Sequence, residues 1–207
     1  MRQKQDLFTV LDGKVKFRRG VYNITGDAVQ LAAFAAKRKA KKVLDVGIGT
    51  GGVSFCLLEY NPNLQITGID ISENMLVESA KNAALNKREI ELIQADIQNW
   101  KTARTFDAVV TNPPYFKGSA AKHGAHHNAD LYEWTRACLR RVRPRGYFYC
   151  IADAAATAEI ISALYAGRAG AIEIQPLFGT KNTAERVLIS ARLGVHSPTI
   201  IHAGLTF

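Results

Sequence analysis

Four residues near the middle of the chain, Asn112-Pro113-Pro114-Tyr115, have the types and order needed to hold a planar amine. The nitrogen of an aryl amine or an amide is a poor nucleophile, because its lone pair is delocalised. An Asn side-chain oxygen and the carbonyl of the next residue can accept the two amine hydrogens. That arrangement favours a pyramidal nitrogen with its lone pair free to attack, and such positioning can supply several powers of ten in rate. No strong base is required, since the proton becomes acidic once the nitrogen is alkylated. Prolines carry no N–H and stiffen the turn that presents the carbonyl. Tyr115 adds a face on which a base can stack, an interaction worth about 1–3 kcal/mol. The plainer alternative is an Asn-Pro turn that closes a strand.

Upstream, Asp45-Val46-Gly47-Ile48-Gly49-Thr50-Gly51-Gly52 leaves a short apolar run and enters a helical pattern. Glycines are needed where a strand turns sharply and a ligand must approach the backbone. Gly47, Gly49 and Gly52 satisfy the dinucleotide-binding pattern, whereas Gly47, Gly49 and Gly51 behind Asp45 satisfy the pattern that binds S-adenosylmethionine. Asp70 stands 23 residues after Gly47, where a carboxylate can accept bonds from both hydroxyls of a ribose. Both cofactors carry such a ribose, so Asp70, with Ile71 beside it, points to a nucleoside ligand without choosing between them. Asp96-Ile97 follows the next apolar run. There the carboxylate can receive an adenine amino group with Ile97 against the ring, or it can simply cap a helix.

These residues need a frame, and the pattern around them provides one. Apolar runs at 43–46, 64–70, 90–94, 106–111, 147–152, 171–177 and 187–193 read as seven strands. Helical patterns at 27–36, 53–60, 73–84, 130–143 and 154–166 lie among them, with Asp27 as the N-cap of the first. Alternating βα units imply an α/β fold with a doubly wound, mostly parallel sheet. The last two strands have too short a connection for a parallel crossover and should pair antiparallel. Near the N-terminus, Asp12-Gly13 between alternating segments predicts a hairpin. On its second arm Lys14, Lys16 and Arg18 share one face, and Val15 and Phe17 take the other. The basic face is a candidate RNA contact or an ordinary solvated face.

The chain has 207 residues, which suits one α/β domain, and 47% of them are hydrophobic, enough for a sizeable core. With 27 Lys and Arg against 18 Asp and Glu, the formal charge of +9 favours a polyanionic partner. No run is long enough to span a membrane, and the polar start lacks a secretory signal. Cys56, Cys138 and Cys150 form no CxxC pair and read as reduced thiols of a cytoplasmic protein. His123, His126 and His127 lack acid or Cys partners at ligand spacing, so a mobile basic loop is expected and no metal site. Trp134 and Tyr132 read as helix packing and surface.

The series Asp45 to Gly51, Asp70, Asp96 and Asn112 to Tyr115 resembles the motifs of class I S-adenosylmethionine-dependent amine methyltransferases. The likeness extends to the bacterial tRNA adenine-N6 methyltransferases that act beside the anticodon of a valine tRNA. It is carried by Gly20-Val21-Tyr22, by Thr25 to Ala32, by the polar stretch from Asn112 to His127, and by Gly167 to Gly170 through Arg186-Val187. The resemblance implies a Rossmann-like methyltransferase domain over 43–207, with 1–42 as its hairpin-and-helix extension. It implies S-adenosylmethionine as cofactor, held by Asp27, Asp45, Gly47, Gly49, Gly51, Asp70, Ile71, Asp96, Ile97 and Asn112, with Asp27 near the methionine end. The catalytic group would be Asn112, Pro113, Pro114 and Tyr115, and the substrate an adenine in RNA, a tRNA above all. Glutamine-N5 methylation of a release factor and guanine-N2 methylation of rRNA use similar chemistry. The former enzymes carry a separate N-terminal helical domain, whereas only 42 residues precede Val43. A binding module that merely holds the cofactor would not need Asn112, and nothing after Asp70 looks like the hydride-transfer site of an NAD enzyme.

Overall fold

The computed structural model describes residues 7–19, 26–113 and 131–206. A hairpin of β1 (Leu7–Val10) and β2 (Val15–Arg18) leads the chain, followed by α1 (Gly26–Ala35). Then come β3 (Lys42–Val46), α2 (Gly52–Tyr60), β4 (Gln65–Asp70), α3 (Glu73–Asn86), β5 (Glu91–Gln94) and β6 (Phe106–Thr111). The second half holds α4 (Leu131–Leu139), β7 (Val142–Asp153), α5 (Thr157–Ala166), β8 (Ala169–Phe178) and β9 (Arg186–Leu193). Two short strands, β10 (Ile200–Ile201) and β11 (Leu205–Thr206), end it.

The seven expected strands form a twisted sheet in the order β5-β4-β3-β6-β7-β9-β8. Strands β3 to β7 run parallel, and β9 is antiparallel to both β7 and β8. Strands β10 and β11 extend the sheet to nine by pairing parallel on the outer edge of β8. Two exposed residues each give no periodic signal, which is why they were not expected. Both faces of the central strands are covered, so successive residues enter different cores. Leu44, Val46, Val109, Phe148 and Cys150 join one, and Val43, Ala108, Val110, Tyr149 and Ile151 join the other.

Several helix boundaries differ from the expectation: α3 runs on to Asn86, α5 begins at Thr157, and two further shifts have a clear physical cause. Helix α4 stops at Leu139 instead of continuing to Arg143. Pro144 disfavours helical geometry at Arg143, and the Arg143 guanidinium instead bonds Asp107 on β6 at 2.5 Å. At the start of α1, Gly26 is already helical, so Asp27 is not the cap but a first-turn residue. It is 6% exposed, and its carboxylate faces the Arg186 guanidinium at 3.4 Å.

The hairpin follows its pattern. Asp12 and Gly13 both take positive φ, and the Lys14 N–H closes the turn onto the Leu11 carbonyl. Val15 and Phe17 are buried while Lys14, Lys16 and Arg18 are exposed. What the pattern did not reveal is the dock. Asn86 of α3 exchanges bonds with the Lys16 N–H and carbonyl, and Asn82 accepts the Arg18 N–H at 3.1 Å. Asn82 also donates to the Thr50 carbonyl at 3.0 Å, which links the hairpin to the glycine loop. Phe17 packs on Phe55 of α2, with ring centroids 5.9 Å apart.

Asn82 is 1% exposed. Truncating it strands the Thr50 carbonyl and the Arg18 N–H, and unsatisfied buried groups cost about 1–3 kcal/mol. Asn82→Ala should therefore lower the urea midpoint by an amount in that range. Asn86→Ala, at the more open end of the dock, should cost less. Equal, small shifts in the two variants would show that the hairpin does not depend on the buried amide.

Candidate active site

The site is assembled at the carboxyl ends of β3, β4 and β6. After Val46 the chain turns over β4, where the N–H groups of Gly47 and Ile48 both donate to the Ile69 carbonyl at 2.9 Å. Gly47, Gly49 and Gly51 all take left-handed φ, at 70°, 54° and 92°. The reasons for glycine differ. A Cβ at Gly51 would stand 2.2 Å from the Phe55 ring, so that position is set by packing. A Cβ at Gly49 would meet nothing closer than the Gly47 carbonyl at 4.0 Å, so that side of the loop is open. Helix α2 begins behind Gly51 with no side-chain cap, which leaves its first N–H groups at the loop.

Asp70 ends β4 half-exposed. Its Oδ2 accepts the Gly49 N–H and its Oδ1 the Ser72 N–H, each at 2.9 Å. A carboxylate has about four acceptor positions, so these two bonds orient Asp70 and leave capacity for a diol. Beside it Ile71 is 65% exposed, an apolar side chain held open at the end of the loop. Ile97, expected against an adenine ring, is instead 3% exposed and belongs to the same core as Val46 and Ile69. The reason lies in Asp96, which accepts the Gln98 N–H at 3.0 Å and the Asn99 side-chain amide at 2.6 Å. The tight turn thus formed carries Ile97 inward.

Asp45 is also inward, 1% exposed, and it accepts the Ser54 hydroxyl at 2.7 Å. It braces the underside of the loop against α2 rather than facing the open side. Burial pushes its carboxyl up to about 7, with the charge of Asp70 acting in the same direction and the Ser54 bond opposing.

Strand β6 delivers Asn112 and Pro113, half-buried and buried respectively. The Asn112 amide makes no hydrogen bond to the described residues. Just before it, the Thr111 hydroxyl donates to the Val46 carbonyl at 2.9 Å and accepts the Trp134 indole N–H at 3.1 Å. The Trp134 ring lies beside Gly47, 3.6 Å from where its Cβ would be. Trp134 is packing, as expected, but it packs on the site. Its i, i+4 relation to buried Cys138 signalled an inward face without showing which loop it would meet. Pro114, Tyr115, His123, His126 and His127 lie outside the described residues. His202 bonds Glu173 at 3.0 Å, on the sheet edge.

On the hairpin, Lys14 and Arg18 each stand 3.9 Å from a carboxylate, of Glu59 and Glu78. Of the three basic residues there, Lys16 has no ion pair among the described residues. No helix among the described residues is long and apolar enough to cross a membrane.

The Asp45 shift sets a pH dependence. The folded state binds more protons than the unfolded one between about pH 4, the ordinary carboxylate range, and the folded value of about 7. Stability must therefore fall as pH rises through that window and level off above it. Asp45→Asn keeps an acceptor for Ser54 and removes the ionisation. Its melting temperature relative to the parent should rise between pH 5 and pH 7.5, as read by calorimetry without ligand. A difference that stays constant with pH would contradict the assignment.

The comparisons agree with this geometry. The family model described as the methyltransferase small domain matches residues 23–161. The tRNA1(Val) (adenine(37)-N6)-methyltransferase of Glaesserella parasuis is 30% identical over 132 residues, 59% of this chain and 56% of that one. A release factor glutamine methyltransferase of Lactococcus lactis is 33% identical over 91 residues, 44% of this chain and 33% of that one. The chain spans about half the length of the first curated relatives it matches. Among solved structures, a predicted O-methyltransferase of Agrobacterium tumefaciens superposes with a TM-score of 0.72 at 25% identity, covering 87% of this chain and 86% of that one. The T. thermophilus 16S rRNA N2 methyltransferase, solved with AdoMet and guanosine, gives 0.69 at 18% identity, 91% and 50% coverage, and shares the fold. The chain belongs to the methyltransferase small domain family, within the class I methyltransferases that use S-adenosylmethionine.

Proposed function

We propose that the protein transfers a methyl group to the exocyclic N6 amine of an adenine in RNA, with a tRNA near its anticodon as substrate. The observation that carries this reading is the Asn112 amide at the end of β6, which bonds none of the described residues and is held next to the glycine loop through Thr111 and Val46. The bound cofactor supplies an electrophilic methyl on a sulfonium. Asp70 uses its spare acceptor positions for the ribose hydroxyls, and Ile71 offers its exposed face to the adenine, with Asp96 beside it. The open side of Gly49 and the first turn of α2 receive the methionine end, which carries a carboxylate. Asp27 stands in the first turn of α1.

Asn112 Oδ1 and the Pro113 carbonyl accept the two hydrogens of the target amine. The nitrogen lone pair then forms the new N–C bond as the C–S bond breaks, and the surplus proton leaves to water. Pro114 and Tyr115 complete the clamp in this reading, with Tyr115 stacked on the base. Lys14, Lys16 and Arg18 are assigned to the RNA backbone. The buried free cysteines fit a reducing cytoplasm. A second reading, methylation of a release-factor glutamine, is favoured by the resemblance to the Lactococcus protein. It would use the same clamp on a planar amide. A guanine-N2 amine in rRNA is a third target with the same geometry.

Incubating the protein with methyl-labelled cofactor and total tRNA, then digesting to nucleosides, should place the label in N6-methyladenosine. Label in a release factor and none in tRNA would select the second reading, and label in N2-methylguanosine the third.

Asn112→Ala should reduce single-turnover transfer by about a hundredfold or more, because the acceptors bind the amine most strongly as it gains positive charge. Its dissociation constant for S-adenosylmethionine, measured calorimetrically, should stay close to that of the parent. Normal turnover would return Asn112-Pro113 to the status of a strand-closing turn.

Asp70→Ala behaves differently. Bonds to a charged acceptor are worth about 1.5–3 kcal/mol, so cofactor affinity should fall tens-fold or more in a folded variant. Unchanged affinity would place the ribose elsewhere.

A further inference from the structure

Among the described residues, a large share of the positive charge lies away from the site. Around the carboxyl ends of the strands stand Asp27, Asp70, Glu73, Asp96 and Asp153, with Arg186 between Asp27 and Asp153. The opposite end of the sheet is basic, and there the cations form a continuous row. Asp107 Oδ2 accepts the backbone N–H groups of Lys41 and Lys42 at 2.9 and 2.8 Å, and its Oδ1 accepts Arg143 Nε at 2.5 Å. These bonds tie the connection before β3 to the turn Arg143–Gly146 on β7. The tip of that turn is Arg145, with φ of 62°. The Arg145 carbonyl in turn accepts Arg192 Nη2 from β9 at 3.2 Å, and the Arg192 guanidinium lies 4.9 Å from the Tyr147 ring centroid. Across β9, the Gly194 N–H donates to the carbonyl of Arg168 at the start of β8.

The row crosses the ends of five adjacent strands, β3, β6, β7, β9 and β8. At about 4.8 Å per strand spacing it is about 19 Å long. Lys41, Lys42, Arg145 and Arg168 are exposed, and none has a carboxylate within ion-pair distance among the described residues. The one acid on the row, Asp107, is already taken by two backbone N–H groups and Arg143. We propose that this end of the sheet is a second RNA-binding surface, which holds the phosphate backbone of structured RNA at a part of the substrate remote from the reacting base. This rests on the RNA reading of the site. An array of exposed cations without carboxylate partners among the described residues, with an arginine over an aromatic ring beside it, fits a run of phosphates. Strand β3 alone separates Lys42 from Val46 by about 13 Å. Only an RNA extending well beyond its target nucleotide reaches both ends.

The test is fluorescence anisotropy of labelled tRNA with the full chain, without cofactor, over a range of salt. The fourfold variant Lys41→Gln, Lys42→Gln, Arg145→Gln and Arg168→Gln should bind full-length tRNA at least about tenfold more weakly, with a salt slope shallower by about three units. An isolated anticodon stem-loop should bind parent and variant alike. In the transfer assay, KM for full-length tRNA should rise while kcat holds. Lys41→Arg with Lys42→Arg should keep the parent affinity, and matching melting curves establish that the fourfold variant is folded. Parent-like affinity and slope in the fourfold variant would overturn the proposal, as would equal weakening for the stem-loop. Cosedimentation of the parent with phosphatidylglycerol vesicles in preference to tRNA would overturn it in favour of a membrane surface. Binding is read without catalysis, so absence of methyl transfer to tRNA would defeat the functional reading while the anisotropy still judges the surface.

Discussion

The hydrogen bond from the Thr111 hydroxyl to the Val46 carbonyl joins the last residues of the two central strands. It lies at the point where the winding of the sheet reverses. From β3 the chain proceeds through α2 to β4 and β5 on one side, and from β6 through α4 to β7 on the other. Loops leaving neighbouring strands in opposite directions open a crevice between them, which is where ligands bind in such sheets. Gly47 follows Val46 and Asn112 follows Thr111, so the β3–β6 pairing, reinforced by this side-chain bond, sets the spacing between the glycine loop and the proposed amine clamp. Trp134 adds the third side by bonding Thr111 and lying along Gly47.

The loop is also held from behind, at some expense in stability. Asp45 is enclosed and bonded to Ser54, and burial raises its pKa because the charged form is disfavoured there. Phe55 fills the space beneath Gly51 and meets Phe17 of the hairpin. Asn82 reaches from α3 to both Thr50 and the hairpin backbone. Three independent contacts thus fix a loop whose glycines would otherwise be its most mobile residues. Rigid positioning of this kind is what methyl transfer to a weak nucleophile requires, because it has little acid–base help to draw on.

Strand β6 was legible to the residue. An apolar run that stops at Asn-Pro leaves no other place for its end. The hairpin faces were legible because period two is a local rule. Features that depend on distant partners were not. Helix α4 continues in pattern to Arg143, but Pro144 and the Asp107 partner on β6 take that residue into the sheet. Ile97 stands next to an acid after a strand, as an adenine contact should, yet the turn made by Asp96 rotates it into the core and leaves Ile71 open instead. Thr111, Ser54 and Asn82 are ordinary polar residues in sequence, and only three-dimensional pairing distinguishes them.

Net charge was legible, but its location was not, and topology explains why. In a parallel doubly wound sheet every crossover helix points the same way, so all their carboxyl-terminal dipole ends gather at the amino ends of the strands. Each such end favours cations by about 0.3–1 kcal/mol, which accounts for Arg140 after α4 and Lys87 after α3. It does not account for Arg145, which tips a turn within β7, or for Lys42, which is already in β3. Those residues gain nothing from a helix dipole and repel their neighbours across the row. Lys41 and Lys42 are fixed to Asp107 through their backbone N–H groups, and cations gathered at one end of a sheet without ion-pair partners among the described residues carry an electrostatic cost. A phosphate backbone lying along the row, as proposed, would relieve that cost. Fold topology collects the charge at this end, and the proposed RNA contact is what would put the collection to use.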